Sequence, residues 1–587
     1  MSAAGTLGDW HHAIISLRHA RRETLISVLL ALAFAFAGTH STAAPGIPLQ
    51  PPNILLLMAE DMSPRLGVFG DSTASTPNLD QLGREGVVYT NAYTTSGVCA
   101  PSRAAHILGR HQIATGTQHM RTTRGPLGTY KSVPPAGAKA YPELLRAAGY
   151  YTYTDAKLDY QFSGTLAGSG PFTIWDDEGA GTHWRKRPEG RVFFGLVNFA
   201  VTHESGVFRP LGSWPHGPLH FFMQLVRAWM QPDVEPARRV SAHEVTLPPY
   251  YPDTPTVRAD VARHYNNIGV MDQQVGEILR QLEQDGLAES TIVIWTTDHG
   301  DGLPRAKREL FDSGIHVPLI IRWPRAYLPQ GVEPGTVDKR LISFVDLAPS
   351  ILALAGVTVP GNMPGVNLVS GPRREYVFAA RDRIDEVNDR QRAVRDKRYK
   401  YIRSWRPGQP GGHALAFRDN IDMALQLQSL YAEGKLNAVQ RQWFEPPGEE
   451  RLFDTWTDPH EVHDLAADEA YSGVLQRLRG ALQAWLAVTP DLSEMSEAEM
   501  VARFQPQGET PVTPAPKFVL RKGRLALSAE ENASIGYRIG DGEWRLYSQP
   551  LQVAPGVTLQ ARAVRYGWEE SDSITVAVPA GRQSTSG

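Results

Sequence analysis

The sequence predicts an α/β protein built on a mainly parallel sheet flanked by helices, and three observations lead to it. The run Asn53-Ile54-Leu55-Leu56-Leu57-Met58 is almost wholly apolar, which suits a strand buried on both faces. A second run of this kind spans Thr291 to Thr296. Between the two lies a long helical pattern, and alternation of buried strands with helices is the pattern of a mainly parallel sheet.

The first strand ends at Ala59-Glu60-Asp61, and the carboxyl ends of parallel strands are where open α/β sheets place their sites. The segment Thr76-Pro77-Asn78-Leu79-Asp80-Gln81-Leu82 reads as a helix with Thr76 as N-cap and Pro77 as its first residue. Val87 to Ala92 then leads into Cys99. The long helix runs from about Pro255 to Asp285, started by Thr254-Pro255 and stopped by Gly286. Its stripe of Ile268, Met271, Val275, Ile278, Leu279 and Leu282 is a core face. The strand after it delivers Asp298-His299-Gly300, so two strands end in candidate metal ligands.

At 587 residues the chain exceeds a single core. Residues 1–43 read as an export signal. Arg18, Arg21 and Arg22 precede an apolar run from Leu25 to Ala37, and Ser41 and Ala43 place the cleavage after Ala43. That run falls short of the roughly 20 residues of a membrane span, so the expectation is a periplasmic or extracellular protein without a stable span. Residues 44–375 read as the main α/β domain. From Tyr376 the pattern changes to short strands (Tyr376 to Ala379, Arg392 to Val394, Lys400 to Ile402) and a helix from Val474 to Trp485, a smaller α+β subdomain over residues 376–504. Residues 505–516, with Pro506, Pro511, Pro514 and Pro516, read as a linker. Residues 517–587 alternate short strands with Gly-rich turns such as Ile539-Gly540-Asp541-Gly542, a small β-sandwich. The net charge of −3 gives no sign of a nucleic-acid partner, so an anionic substrate requires positive charge gathered in one pocket.

Cys99 is the one cysteine, so no internal disulfide forms, and it opens the segment Cys99-Ala100-Pro101-Ser102-Arg103. Here the chain resembles the formylglycine-dependent sulfatases, whose signature is C-x-P-S-R. Further landmarks of that family follow in order from Pro52 to about Pro490: Glu60-Asp61, Lys157 after Gly149-Tyr150, His203 after Phe193-Phe194, Asp298-His299-Gly300, and Lys307 before His316-Val317-Pro318-Leu319-Ile320.

The resemblance implies an alkaline-phosphatase-like fold and oxidation of Cys99 to a formylglycine by a maturation enzyme. It implies hydrolysis of a sulfated carbohydrate at that residue beside a cation held by Glu60, Asp61, Asp298, His299 and the matured Cys99. Oxygen-rich ligation favours Ca²⁺ first and Mg²⁺ second. Arg103, on a helix beginning near Pro101, would turn back beside the nucleophile as a fixed multi-donor cation. Lys157 and Lys307 would neutralise sulfate oxygens, His203 would protonate the leaving atom, and His299 would bind either the metal or the sulfate. Many relatives have Asp at the position of Glu60, Asn at that of His299 and His at that of Asp159, so the ligation by Glu60 and the acid–base inventory stay open at this point. Leu247-Pro248-Pro249-Tyr250-Tyr251-Pro252, Met271-Asp272-Gln273-Gln274 and Asp458-Pro459-His460-Glu461 resemble the N-sulfoglucosamine sulfohydrolase (heparan N-sulfatase) branch. These are scaffold segments and bear weakly on N- versus O-sulfate choice. Two other readings stand beside this one: a phosphonate or phosphodiester hydrolase of the same superfamily, and a catalytically inactive sulfated-glycan-binding protein.

Overall fold

The computed structural model describes residues 50–120, 129–209, 212–214, 217–230, 236–522 and 524–579. The export signal at 1–43 lies outside them. The main sheet contains β1 (Asn53–Ala59), β2 (Val87–Tyr93), β3 (Tyr151–Thr154), β4 (Asp177–Glu178), β5 (Phe193–Phe199), β6 (Thr291–Thr297), β7 (His316–Arg322), β8 (Thr336–Asp338) and β9 (Ile342–Ser343). Their order is β4-β3-β5-β1-β6-β7-β2-β8, with β9 also beside β2. All pairs are parallel except those of β7, which runs antiparallel to both β6 and β2.

β1 lies inside the sheet, and successive side chains enter opposite layers. Leu55 and Leu57 join a core with α1 (Pro77–Glu85) and the long helix Pro255–Gln284, through Leu79, Leu82, Ile268, Met271 and Val275. Ile54, Leu56 and Met58 join the core of the other face with Ile107, Leu108, Ile351 and Leu352. That explains why the strand reads as continuously apolar. The long helix is capped as the sequence predicts, Thr254 Oγ1 accepting from Val257 N. Thr76 differs. It precedes Pro77 but makes no cap bond; its hydroxyl accepts from Gly67 N and donates to Asp80 Oδ1, tying the helix to the preceding loop.

In the C-terminal region β10 (Val377–Arg381), β11 (Gln391–Arg395), β12 (Tyr399–Ser404) and β13 (Glu450–Asp454) form an antiparallel meander. Leu478, Leu482 and Trp485 of the helix Ser472–Val488 pack on its Val394, Tyr401 and Leu452. At the end of the chain, β14 (Lys517–Arg521), β15 (Arg524–Ser528) and β18 (Leu551–Gln552) make one sheet. The second contains β16 (Ser534–Ile539), β17 (Arg545–Leu546), β19 (Thr558–Val564) and β20 (Ile574–Ala577). Leu525, Leu527, Ile535, Leu559, Ala561 and Val576 fill the space between them. The proline-rich stretch before it is tied down, Thr513 N donating to Glu569 O and Glu569 N to Pro511 O. Among the described residues no helix is long and apolar enough to cross a membrane.

Because Leu56 is fully buried between sheet and helices, Leu56→Ala is expected to cost about 2–5 kcal/mol. Chemical denaturation should show a lower midpoint at unchanged slope; an unmoved midpoint would contradict burial of β1 on both faces.

Candidate active site

Three neighbouring parallel strands end together. Ala59 of β1 pairs with Phe199 of β5 on one side and Thr297 of β6 on the other. The residues that follow therefore converge: Glu60 and Asp61, His203 and Glu204, and Asp298 and His299. Asp61 turns sharply, with φ of 53°, a left-handed conformation that Asp tolerates better than most residues. Its carboxylate collects donors from several elements. Oδ2 accepts from Glu204 N at 2.7 Å and Lys307 Nζ at 2.5 Å, and Oδ1 lies 3.0 Å from His299 Nε2. Asp298 Oδ1 accepts from Asp61 N at 3.0 Å.

Cys99 is the first residue of α2 (Cys99–Leu108). The helix starts two residues earlier than the expected Pro101, which puts Cys99 at its electropositive N-terminus. Pro101 is tolerated in this first turn, where no intrahelical N–H is needed. Ser102 Oγ donates to Asp298 O and meets Thr94 Oγ1, each at 2.5 Å, fastening the helix start to the end of β6. Cys99 Sγ lies 3.3 Å from His299 Nε2 and 3.7 Å from Asp61 Oδ1. One turn on, Arg103 donates from Nε to Asp298 Oδ2 at 2.9 Å and from Nη1 to Asn198 Oδ1 at 2.7 Å. Among the described residues its buried Nη2 has no hydrogen-bond acceptor, and it stands 3.8 Å from Glu60 Oε1.

Lys157, in the loop after β3, donates to Glu60 Oε2 at 2.6 Å. Lys307 lies between Asp61 and Glu204, 3.1 Å from Glu204 Oε1. His203 Nε2 is 3.3 Å from Lys307 Nζ and 4.0 Å from Glu60 and Asp61, while its Nδ1 accepts from Ser205 N. Every residue singled out from the sequence thus lies in one cluster. Asp159, which stands where many relatives have His, sits in a tight turn at φ of 57° and adds negative potential at Arg103 and Lys157.

Reading along the chain passed over Glu204, Arg308 and Asn198. Glu204 is buried and accepts both guanidinium donors of Arg308, at 2.7 and 2.8 Å. Arg308 N in turn donates to Gly97 O, and a Cβ on Gly97 would lie 2.3 Å from Glu309 O. The two loops therefore touch only because residue 97 is glycine. The available signals were adjacency to His203 and Lys307 and the strand-end position of Asn198, and single polar residues at such places are too common to stand out.

Burial alone would raise the Cys99 thiol, but Lys157 and Lys307 outweigh it and bring the group down to about 6. For His299 burial opposes protonation, and Asp298 with Asp61 overcomes it, raising the imidazole to about 10. Asp298 is held down at about 2 despite burial, chiefly by His299 and Arg103. Asp61, Cys99, Asp298 and His299 offer donor atoms that all lie within 4.8 Å of one another, as do Glu60, Asp61 and His203. Converging buried carboxylates with an imidazole beside them are a donor set that fits a hard divalent cation. Asp61, Asp298 and His299 could hold it together with Cys99, and Glu60 with Asp61 and His203 forms the other group, Glu60 also accepting from Lys157.

The family profile described as Sulfatase matches residues 52–190 and 215–357. An "Ulvan-active sulfatase" of Formosa agariphila is 40% identical over 560 residues, covering 90% of this chain and 91% of that protein. The chain belongs to the sulfatase family. A second profile, "N-sulphoglucosamine sulphohydrolase, C-terminal", matches residues 305–445 of this sulfatase. The human "N-sulphoglucosamine sulphohydrolase" is 25% identical over 488 residues, covering 75% of this sulfatase and 91% of that protein. A solved "2-O GAG sulfatase" shares the fold with a TM-score of 0.54 at 20% identity, over 76% of this sulfatase and 94% of that chain.

In the unmodified, metal-free sulfatase, the thiolate ultraviolet absorbance of Cys99, taken as a difference from Cys99→Ser, should titrate near 6. A midpoint at the ordinary thiol value of about 8.5 would contradict the electrostatics described. The folded value is depressed, so the linked stability is fully present above the unfolded thiol pKa and is lost as pH falls through about 6. Glu204→Gln removes the buried carboxylate shared by Lys307 and Arg308, which keep Asp61 and Asp385, and should lower stability by about 1–3 kcal/mol, read from the denaturation midpoint, with Glu204→Asp less damaging.

Proposed function

We propose that this sulfatase is exported and releases inorganic sulfate from a sulfated polysaccharide, using a formylglycine made from Cys99 by a maturation enzyme. The observation that carries the reading is the position of Cys99: first residue of a helix, in contact with His299 and Asp61, and under the combined field of Lys157 and Lys307. Sγ stands where the hydroxyls of a hydrated formylglycine would be. A bound divalent cation, Ca²⁺ before Mg²⁺, would polarise a sulfate oxygen and favour ionisation of the attacking hydroxyl.

The side chains supply the rest. Lys157 and Lys307 draw in the sulfate oxygens by charge, and Arg103, one turn past Cys99, adds a fixed cation whose Nη2 stands 3.8 Å from Glu60 Oε1. One hydroxyl oxygen of the matured Cys99 attacks sulfur, and the bond from sulfur to the leaving oxygen breaks. His203, whose Nε2 lies 3.3 Å from Lys307 Nζ, gives the leaving oxygen its proton. The second hydroxyl then loses its proton, the carbon–oxygen bond to sulfate breaks with that electron pair retained on sulfate, and the aldehyde returns. A serine in place of the hydrate has no second hydroxyl and cannot complete this step.

For the substrate, the relative at 40% identity over nearly the whole chain supports a sulfate ester of an ulvan-like acidic polysaccharide. The N-sulphoglucosamine sulphohydrolase profile over residues 305–445 favours a second reading, hydrolysis of an N-sulfated glucosamine. Protein co-expressed with a formylglycine-generating enzyme should release sulfate from ulvan oligosaccharides, with Cys99→Ala lowering kcat by at least about a thousandfold. Release confined to N-sulfoglucosamine would select the second reading. Formylglycine confirmed by mass spectrometry without Cys99-dependent release from either sugar would overturn both.

A further inference from the structure

Lys157 is delivered by a loop, residues 155–176, that has little regular structure of its own. A single antiparallel bridge joins Lys157 to Leu166, supported by Leu158 N donating to Thr165 O and Ala167 N to Ala156 O. Asp159 and Gln161 both have positive φ. A loop of this kind does not hold a lysine at a fixed place by itself. What covers it is the terminal β-sandwich, more than 350 residues downstream.

The contacts are specific on both sides of the loop. The ring of Tyr566 stacks on Phe162, centroids 5.0 Å apart and 8° from parallel. Both residues are buried in the cluster that contains Leu158, the neighbour of Lys157. The Tyr566 hydroxyl donates to Glu143 Oε2 at 2.8 Å, and the same oxygen accepts from Thr173 Oγ1 of the loop at 2.6 Å. The other Glu143 oxygen accepts from Ser534 Oγ of β16 at 2.5 Å. One buried carboxylate thus ties the loop to two places in the sandwich. Farther along, Phe172 packs between Trp544 and the guanidinium of Arg562, and Arg146 donates to the carbonyls of Phe172, Thr173 and Trp544. Gly567, at φ of 85°, brings its backbone so close to Ser132 that a Cβ would lie 2.2 Å from Ser132 O, and Ser132 N donates to Gln161 O of the loop.

We infer that the terminal β-sandwich is a working part of the active site, and that Tyr566 is a positioning residue that acts through the 155–176 loop to set the ammonium of Lys157 against the sulfate. This rests on the reading of Lys157 as a sulfate-binding group. The sandwich is then a clamp that serves small and polymeric substrates alike. A glycan-capturing appendage would matter for polymers only.

The test is a double-mutant cycle on the full-length, matured protein. Tyr566→Ala should lower kcat/KM on a small sulfated substrate by about tenfold to a hundredfold, the size expected for loss of positioning by about 1 Å. In the Lys157→Ala background the same change should cost less than about twofold, because coupled residues do not add. Tyr566→Phe, which keeps the stacked ring, should recover most of the activity. Equal losses in both backgrounds, or no loss in the first, would overturn the clamp. Hydrogen exchange gives a separate arm that does not depend on sulfate chemistry. Tyr566→Ala, or the milder Phe162→Leu if the alanine variant does not fold, should speed exchange at Leu158 and Ala167 by at least about tenfold while β16 and β19 stay protected. Unchanged exchange at these amides also overturns it. If Lys157→Ala alone leaves sulfate release intact, the reading of Lys157 fails, and the exchange arm still decides whether the sandwich holds the loop.

Discussion

The structure is organised around a single electrostatic problem, the convergence of buried carboxylates at the ends of adjacent parallel strands. β1 and β6 are in register up to Ala59 and Thr297, so Glu60, Asp61 and Asp298 emerge side by side with almost no access to water. Isolated buried carboxylates would be prohibitively costly. The fold meets that cost by bringing one cation to each from a different element: Arg103 from α2 to Asp298, Lys157 from the loop after β3 to Glu60, and Lys307 from the loop after β6 to Asp61. In the proposed reaction these same cations would meet the sulfate oxygens, and Glu204, 3.1 Å from the Lys307 ammonium, is a second anion that would still hold that lysine.

What the sequence made legible follows from which interactions are local. The continuous apolar runs of β1 and β6 and the capped long helix are set by residues next to one another, so their place and type could be read. The C-x-P-S-R segment and the acid-tipped strands were legible because each places several unusual residues within a few positions. The loops were not. Thr76 stands where a cap belongs, yet its hydroxyl is drawn to Gly67 and Asp80. Glu204 and Arg308 are about a hundred residues apart and acquire meaning only as a pair. The same holds for Ser102, whose place in the segment could be read while its bond to the Asp298 carbonyl could not.

The terminal sandwich shows that difference most sharply. Its strands and Gly-rich turns announce a small β structure, and nothing in them points to a partner. Its contribution lies in Tyr566, Ser534 and Arg562, ordinary residues on a β surface until Phe162, Glu143 and Phe172 are brought against them. Glu143 is the pivot. A carboxylate this deeply buried must be satisfied, and its donors come from both the loop and the sandwich, so displacing either side takes a hydrogen bond from it.

The centre also explains why similarity to relatives named for different sugars is compatible with a single chemistry. In the proposed reaction the groups set against sulfate's oxygens and the nucleophile would be the same for an ester and for a sulfamate, and His203 would give its proton to oxygen or nitrogen alike. Discrimination between sugars must therefore come from what surrounds the carbohydrate ring beyond this core, and the core should change little where substrate preference changes much. The 40% identity to an ulvan-active relative spans nearly the whole chain, whereas the N-sulphoglucosamine sulphohydrolase profile matches residues 305–445, Lys307 among them.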